Sequence, residues 1–173
     1  MPAFHSDLPS SGTTISKIAV LPLRQASKAS LRGPAPVTED EDIVDQTIKL
    51  FKVRNTNKCH LPGQWTYTMQ ESTKLYNDLL QANILFTSFD METDVDRVLV
   101  YLTFYIVECL KKMQKEPSLE RAVQSMHSLA REHFSLPGDA GFPRSLNAFC
   151  SKPSHSEAEE LKKYFTQVSL TTI

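Results

Sequence analysis

Histidine and cysteine are the residue types of this sequence best suited to bind a metal ion or to attack a substrate. The five histidines and three cysteines are His5, His60, His127, His133, His155, Cys59, Cys109 and Cys150. No histidine pair stands at zinc-ligand spacing beside a cysteine or carboxylate; His127 and His133 are six residues apart, on different parts of a helix. Cys109 lies on an apolar helix face, which is typical of a small buried hydrophobe. The sequence therefore predicts no metal ligands.

A glycine-containing turn at 136–143 is the second place where chemistry is conceivable, because Gly138 and Gly141 resemble a phosphate-binding loop in spacing. The turn lacks the Lys-Ser/Thr pair of a P-loop, and Pro137 and Pro143 remove backbone donors that a phosphate needs. Tight turns explain these glycines better. No serine or cysteine stands in a local motif that activates a nucleophile, although a triad assembled from distant positions stays open. We therefore expect no catalytic, cofactor-binding or metal-binding residue, no cofactor and no enzymatic activity.

Bulk composition excludes several other classes of function. The chain has 173 residues, 40% hydrophobic and 23% charged, which fits one globular domain. A formal net charge of −1 gives no field that would attract nucleic acid. The most apolar stretch, 98–110, is too short to span a bilayer, so we expect no membrane insertion. Three scattered cysteines fit a reducing compartment, the cytoplasm.

One nearly all-apolar helix at 93–113 dominates the predicted structure, with Thr93 and Asp96 as its N-cap pair. One stripe of it is formed by Val95, Val98, Leu99, Leu102, Tyr105, Ile106, Cys109, Leu110 and Met113. Most of its opposite face is also apolar, through Val100, Tyr101, Phe104 and Val107. A helix that is apolar nearly all round must be surrounded by other elements. We therefore predict an all-α fold in which other helices surround this central helix.

Three further helices are predicted from their capping signals. Thr38 with Glu41 forms a capping box, so we interpret the acidic run 40–42 as a helix start rather than a metal site. Ser118 begins a helix with an apolar face at Leu119, Ala122, Val123, Met126, Leu129, Ala130 and His133 or Phe134. Ser156 with Glu159 is a second capping box, which opens the last helix. Residues 71–80 look modestly helical.

The N-terminal segment 1–37 is rich in Ser, Pro and Gly, with one apolar patch at 18–23. Its prolines forbid a continuous helix. We expect an extended arm that lies on another surface and includes a short edge strand. The arm and the turn 136–143 are candidate interface segments, because such segments need something to lie against.

Several sequence blocks occur in the order and approximate spacing of one known family. They read MPAFHS (1–6), AVLPLR (19–24), RGPAP (32–36), DIVD (42–45), DRVLVY (96–101), ECLKK (108–112), LPG (136–138), GFP (141–143) and LNA (146–148). In these blocks the chain resembles subunit 3 of the actin-related protein 2/3 complex, the 21-kDa subunit. The resemblance covers most of the single helical domain 1–173.

The resemblance implies a non-catalytic structural subunit of a complex that nucleates actin filaments as branches on existing filaments. Its implied partners are the other subunits, especially actin-related protein 3, and the actin filament, with neither nucleic acid nor membrane insertion. The implied location is the cytoplasm and cytoskeleton, and the implied fold is one helix surrounded by others. The alternative is a free-standing helical adaptor, or a truncated product of the same family that does not assemble.

Two segments depart from the family pattern. Residues 53–81 interrupt it, since deleting them joins Phe51-Lys52 to Ala82-Asn83 and restores both the family pattern and the helical spacing. The resemblance implies a last helix that continues for several turns after Gln167 and ends in a basic segment with paired tryptophans, whereas here the helix is expected to stop early, at residues 168–173. Both segments begin with dipeptides that splice-donor sequences can encode. Retained introns and lineage-specific divergence are the two interpretations.

Overall fold

The structure is a computed structural model that describes residues 5–10, 12–24, 33–54, 91–132 and 134–172, with the backbone alone for 50–54. Two short strands come first, β1 (Thr14–Ile15) and β2 (Ile18–Ala19). The helices are α1 (Ile43–Arg54), α2 (Asp94–Met113), α3 (Leu119–Leu129), α4 (Arg144–Asn147) and α5 (His155–Thr172). The weakly helical prediction at 71–80 lies outside the described residues.

Helix α2 is the centre of the structure, as predicted. Its cap is a complete capping box, in which the Thr93 hydroxyl accepts from the Asp96 N–H and the Asp96 carboxylate accepts from the Thr93 N–H. Thirteen of its residues are buried, and Leu99 and Leu102 have no exposed surface. It contacts β2 and each of the other described helices. A helix with apolar residues on nearly every side needs this arrangement, because any uncovered face would leave apolar surface in water.

The all-α prediction is too narrow, because residues 14–19 form a two-stranded antiparallel hairpin. Its turn residues, Ser16 and Lys17, have φ angles of 54° and 66°, the sign that type I′ hairpin turns require at both central positions. Asn-Gly or Asp-Gly usually occupies such a turn, so Ser-Lys conceals the hairpin in the sequence. The extended N-terminal arm is not confirmed, because the apolar patch 18–23 contributes Ile18, Leu21 and Leu23 to the hydrophobic core.

Hydrogen bonds from distant parts of the chain hold this turn in its unfavourable backbone conformation. The Ser16 carbonyl accepts from the Ser151 N–H at 3.2 Å. The Lys17 carbonyl accepts from the Arg97 guanidinium at 2.7 Å. The hairpin is therefore fixed against α2 and the segment before α5 as well as by its own two strands.

Helix α1 begins four residues later than predicted. Asp42 caps it, since its Oδ1 accepts from the N–H groups of Val44 and Asp45, each at 3.0 Å, and its own N–H donates to Asp45. The predicted cap Thr38 instead donates its N–H to the Leu23 carbonyl, next to a parallel bridge between Leu23 and Val37. This pairing places residue 38 beside Leu23, and the cap of α1 forms at Asp42 instead.

The cap of α5 is also displaced, while that of α3 is as predicted. The Ser154 N–H and hydroxyl both donate to Glu157, at 2.8 and 2.7 Å, so the box is formed two residues before the predicted Ser156–Glu159 pair. Glu159 pairs with Lys162 instead. In α3 the Ser118 hydroxyl accepts from the Arg121 N–H. Helix α5 then continues through residues 168–172, of which Val168, Ser169 and Thr172 are buried.

A glutamine in α5 binds the segment that precedes α1. Gln167 is 2% exposed, and its side-chain amide accepts from the Ala35 N–H at 3.0 Å and donates to the Ala35 carbonyl at 3.3 Å. A Cβ on Gly33 would lie 2.3 Å from Gln167 Oε1, so this close approach requires glycine. One turn earlier on α5, the buried Tyr164 hydroxyl accepts from the Leu21 N–H at 3.2 Å. These bonds satisfy buried backbone groups that lie outside helices and strands.

The Gln167–Ala35 contact predicts a large stability effect. Gln167→Leu should lower the free energy of unfolding by about 2–4 kcal/mol, because it leaves a buried N–H and a buried carbonyl unpaired. Thr166→Ala is the control: its hydroxyl donates to the Lys162 carbonyl of the same helix, a local contact, and we expect a loss below about 0.5 kcal/mol. Urea denaturation of the purified variants measures both. Equal losses would show that the contact stabilises little.

The hairpin turn predicts a stabilising substitution. Lys17→Gly should raise the free energy of unfolding by about 0.5–1 kcal/mol, since relief of the positive φ outweighs the added freedom of the unfolded chain. Lys115→Gly, at an exposed turn position outside the positive-φ residues, should destabilise the protein. Thermal and urea unfolding compare the two variants. A lower stability for Lys17→Gly would contradict the described turn.

Candidate functional site: an aromatic groove beside the central helix

A groove of about 190 Å³ lies along one side of α2. Helix α2 forms one wall with Tyr101, Phe104, Tyr105 and Glu108, which are spaced one turn apart or adjacent. Tyr101 and Tyr105 are almost fully buried, at 7% and 6% exposure, so the groove reaches into the core. The sequence predicts that other elements cover this face of α2. At the groove, the described residues leave part of the face uncovered.

The opposite wall comes from the end of α3 and from the turn before α4. Leu129, Phe134, Phe142 and Pro143 supply its apolar surface, and Glu132 and Ser135 supply polar groups. Gly141 lies next to the Ser135 side chain, whose hydroxyl would have to turn away from a Cβ at residue 141. The predicted turn 136–143 thus contributes part of a concave surface.

Stacked aromatic rings form the base of the groove. Tyr101 stacks on Phe165 of α5 with ring centroids 3.9 Å apart and planes 10° from parallel. Phe134 meets the edge of Phe165 at 6.1 Å, and Tyr105 lies 6.5 Å from Phe134. Such ring pairs stabilise the structure beyond the area that they bury. The floor is therefore a packed and rigid aromatic surface.

The titratable groups at the base of the groove are held in their neutral forms. Burial raises the pKa of the Tyr101 and Tyr105 hydroxyls far above their ordinary range. Burial is also the main reason that the pKa of the Cys109 thiol, next to Tyr105, is raised to about 11. A thiol with that pKa is protonated at neutral pH and is a poor nucleophile. The arrangement suits apolar binding better than proton transfer or covalent chemistry.

Two carboxylates stand at the rim. Glu108 pairs with Lys111 on α2, and Glu132 pairs with Lys112 at 3.0 Å. Both glutamate side chains are 56% exposed, and both lysines lie outside the groove lining. The charged side chains among the described residues of the lining are therefore acidic.

The residues that the sequence singled out for chemistry are not brought together here. His5, His127 and His155 are exposed, and Cys109 is buried, as its place on an apolar helix face predicts. Cys59, His60 and His133 lie outside the described residues. Within the described ranges, no group of three or more His, Cys, Asp or Glu side chains is placed to hold a metal ion. The absence of catalytic residues stays a prediction.

The turn 136–143 is a structural turn, as predicted. The Leu136 carbonyl accepts from the Asp139 N–H, and the Leu136 N–H donates to the Asp139 carboxylate at 2.8 Å. Gly138 has a φ of 96°, and its N–H donates to Asn147 at 2.8 Å. That backbone donor is already used within the protein, which argues against a role in holding phosphate.

Helix α3 leaves apolar surface exposed, although its apolar residues were predicted to form one face. Ala122 and Ala130 are buried, whereas Leu119 and Val123 are 53% and 36% exposed. Single exposed apolar residues are ordinary, but these two are one turn apart on one helix. Among the described residues, no helix combines the length and apolarity needed to cross a membrane. The exposed apolar surface of α3 is consistent with contact to another protein.

Comparison with known proteins identifies the family. The sequence matches the family described as the ARP2/3 complex ARPC3 (21 kDa) subunit over residues 1–60 and 68–172. The match omits 61–67, which lie within the predicted insertion 53–81, and includes the rest of that segment.

Curated relatives match along nearly the whole chain. A probable actin-related protein 2/3 complex subunit 3 of Caenorhabditis elegans is 32% identical, covering 97% of this chain and 76% of that protein. The actin-related protein 2/3 complex subunit 3 of Schizosaccharomyces pombe is 35% identical, covering 96% and 78%. The subunit 3 of Saccharomyces cerevisiae is 31% identical, also covering 96% and 78%. The chain therefore belongs to the ARP2/3 complex ARPC3 (21 kDa) subunit family.

Proposed function

We propose that this chain is a non-catalytic structural subunit of the actin-related protein 2/3 complex and supports the nucleation and branching of actin filaments. The observation that carries the proposal is the family match over 1–60 and 68–172, which includes every described element. Its partners are the other subunits, especially actin-related protein 3, and the actin filament. Its location is the cytoplasm and the cytoskeleton.

The chemistry of the groove supports a binding role over a catalytic one. Burial raises the pKa values of its interior groups, Tyr101, Tyr105 and the adjoining Cys109, further above physiological pH, so that none of them is an ionised base or nucleophile there. Its surface is mainly aromatic and aliphatic, with polar groups at the rim. Sites of this composition recognise apolar groups and use a few polar contacts for orientation.

Assembly with the complex tests the function. The tagged chain, produced together with the other subunits, should co-purify with actin-related protein 3 in stoichiometric amount. Added to a complex depleted of subunit 3, it should restore branched nucleation of actin, measured by microscopy and by fluorescence of labelled actin.

The negative control is Leu99→Asp, which places a charge at a fully buried position of α2 and should abolish co-purification through unfolding. A wild-type chain that stays a stable monomer beside the complete set of partner subunits would contradict the proposal. That result would favour the free-standing adaptor.

We further propose that residues 53–81 are an insertion outside the family's packed core. The break in the family match at 61–67 supports this, although the match includes 53–60 and 68–81 and helix α1 continues through Val53 to Arg54. Joining Lys52 directly to Ala82 should leave co-purification intact and the melting temperature within a few degrees of the wild-type value. Loss of folding in this variant would assign the segment to the core. Spliced transcripts that keep 53–81 would exclude the retained-intron interpretation.

A further inference from the structure

Two cations meet at the turn of the N-terminal hairpin. Lys17 occupies the turn and is exposed, and its carbonyl accepts from the Arg97 guanidinium of α2 at 2.7 Å. Cys150, which is partly buried, lies near both charges: burial raises the pKa of its thiol to about 11, and the positive charges of Arg97 and Lys17 oppose that rise. The thiol is therefore protonated at neutral pH and gives the two cations no negative neighbour.

No carboxylate among the described residues pairs with either cation. The cations that do form ion pairs within the described ranges are Arg24, Lys49, Lys111, Lys112 and Lys162. Both carboxylates in the first turn of α2 have other partners, since Asp94 accepts from a serine hydroxyl and Asp96 forms the cap of the helix. The Arg97 Nε is buried without a hydrogen-bond partner in the described part of the chain. The positive charge at the turn is therefore not neutralised there.

The backbone conformation makes a lysine at this turn unfavourable for stability. Lys17 has a φ of 66°, which costs free energy for a residue with a Cβ, whereas glycine avoids that cost. Hydrogen bonds from Arg97 and from the Ser151 N–H hold the turn in place. Backbone strain that the surrounding structure maintains is concentrated at functional sites. A lysine that lowers stability at its own position is explained if its ammonium group contributes to binding.

We propose that Lys17 and Arg97 bind a segment of a neighbouring protein that carries an aspartate or a glutamate. The exposed ammonium group of Lys17 contacts the carboxylate, while the Arg97 guanidinium holds the turn and adds a second positive charge. The proposal rests on the proposed function, because the neighbour is a subunit or filament protein of the assembly.

Partial burial of Arg97 determines how such a contact acts. An ion pair between two fully exposed side chains contributes little, because water and salt screen it. Arg97 is only partly exposed, so its charge is screened less. Charge complementarity at the edge of an interface acts mainly on the association rate and on the choice of partner. We therefore expect the association rate to change more than the final amount of assembled complex.

Removal of the Lys17 charge separates binding from folding. Lys17→Gly, which we expect to stabilise the fold, should slow association of the labelled chain with a complex depleted of subunit 3 by about threefold or more at low salt. Lys17→Arg keeps the charge and the Cβ, and its rate should stay within about twofold of wild type. Added salt should reduce the difference between the two variants. Equal rates for Lys17→Gly and Lys17→Arg would overturn the proposal.

Charge reversal should enlarge the effect. Lys17→Glu should slow association by about tenfold or more at low salt, whereas Lys115→Glu, the same change at an exposed lysine beyond the other end of α2, should stay within about twofold of wild type. Arg97→Met should also slow association, and Arg97→Lys, which keeps the charge, should not. Melting temperatures show which variants are folded, and the Lys17 variants decide the outcome if an Arg97 variant is not. The same rate for Lys17→Glu and Lys115→Glu would contradict the proposal.

Crosslinking tests the identity of the partner group. A zero-length carbodiimide reagent, which joins lysine amines to carboxylates, should link Lys17 to an Asp or Glu of a neighbouring subunit in the assembled complex, as identified by mass spectrometry. The Lys17→Arg chain should assemble and lose this product alone. A Lys17 product confined to carboxylates of this chain, or no Lys17 product, would count against the proposal. Binding to phosphatidylserine vesicles that Lys17→Glu abolishes, with association to the complex unchanged, would assign the site to a membrane surface instead.

The two proposals fail in different ways. If the wild-type chain does not enter the complex, the proposed function is wrong and the proposal for Lys17 and Arg97 falls with it. If the wild-type chain assembles but the Lys17 variants associate as the Lys115 control does, the function stands and only the cation proposal is wrong.

Discussion

Burial of the apolar surface of α2 is the constraint on which the rest of the structure depends. Its apolar residues point in every direction, so no single partner element can cover them. The other described helices and the β2 strand all contact it, and the core they form includes residues from near the N-terminus to Val168 of α5. Each large side chain buried in this way contributes about 1.5–3 kcal/mol. The short strands and the four-residue helix α4 gain their stability from this shared core rather than from their own length.

Irregular segments cover part of α2, and their backbone N–H and C=O groups become buried. Because these groups lie outside helices and sheets, they need other hydrogen-bond partners. Side chains of the helices meet this requirement. Gln167 bonds both backbone groups of Ala35, and Tyr164 accepts from Leu21. Asp96, besides capping α2, accepts from the Ser6 N–H at 2.8 Å. The N-terminal residues are thus attached to the helices by specific polar contacts and not only by apolar packing.

The structural features that the sequence predicts well are those that a local residue pattern determines. The span of α2 and its Thr93 cap follow from a long apolar period and a nearby capping signal. The caps of α1 and α5 differ from the predicted ones because neighbouring residues offer several matches; at α1 the pairing of Leu23 with Val37 and Thr38 is the tertiary contact beside the predicted cap. The hairpin turn was hidden because Ser16 and Lys17 are not typical turn residues. The groove has no local signal in the sequence, since its walls come from separate elements. The Ala35 contact has one sign in the sequence, a glutamine on the inner face of α5.

The described residues cover α2 on most sides and leave an aromatic groove beside it. We assign this arrangement to a subunit of a larger assembly. Hydrogen–deuterium exchange of the free chain and of the chain in the actin-related protein 2/3 complex tests this most directly. We expect the amides of α2 to be the slowest to exchange in both states, and those of 129–143 to gain protection in the complex. Unchanged exchange at 129–143 in the complex, or fast exchange of α2 in the free chain, would contradict it.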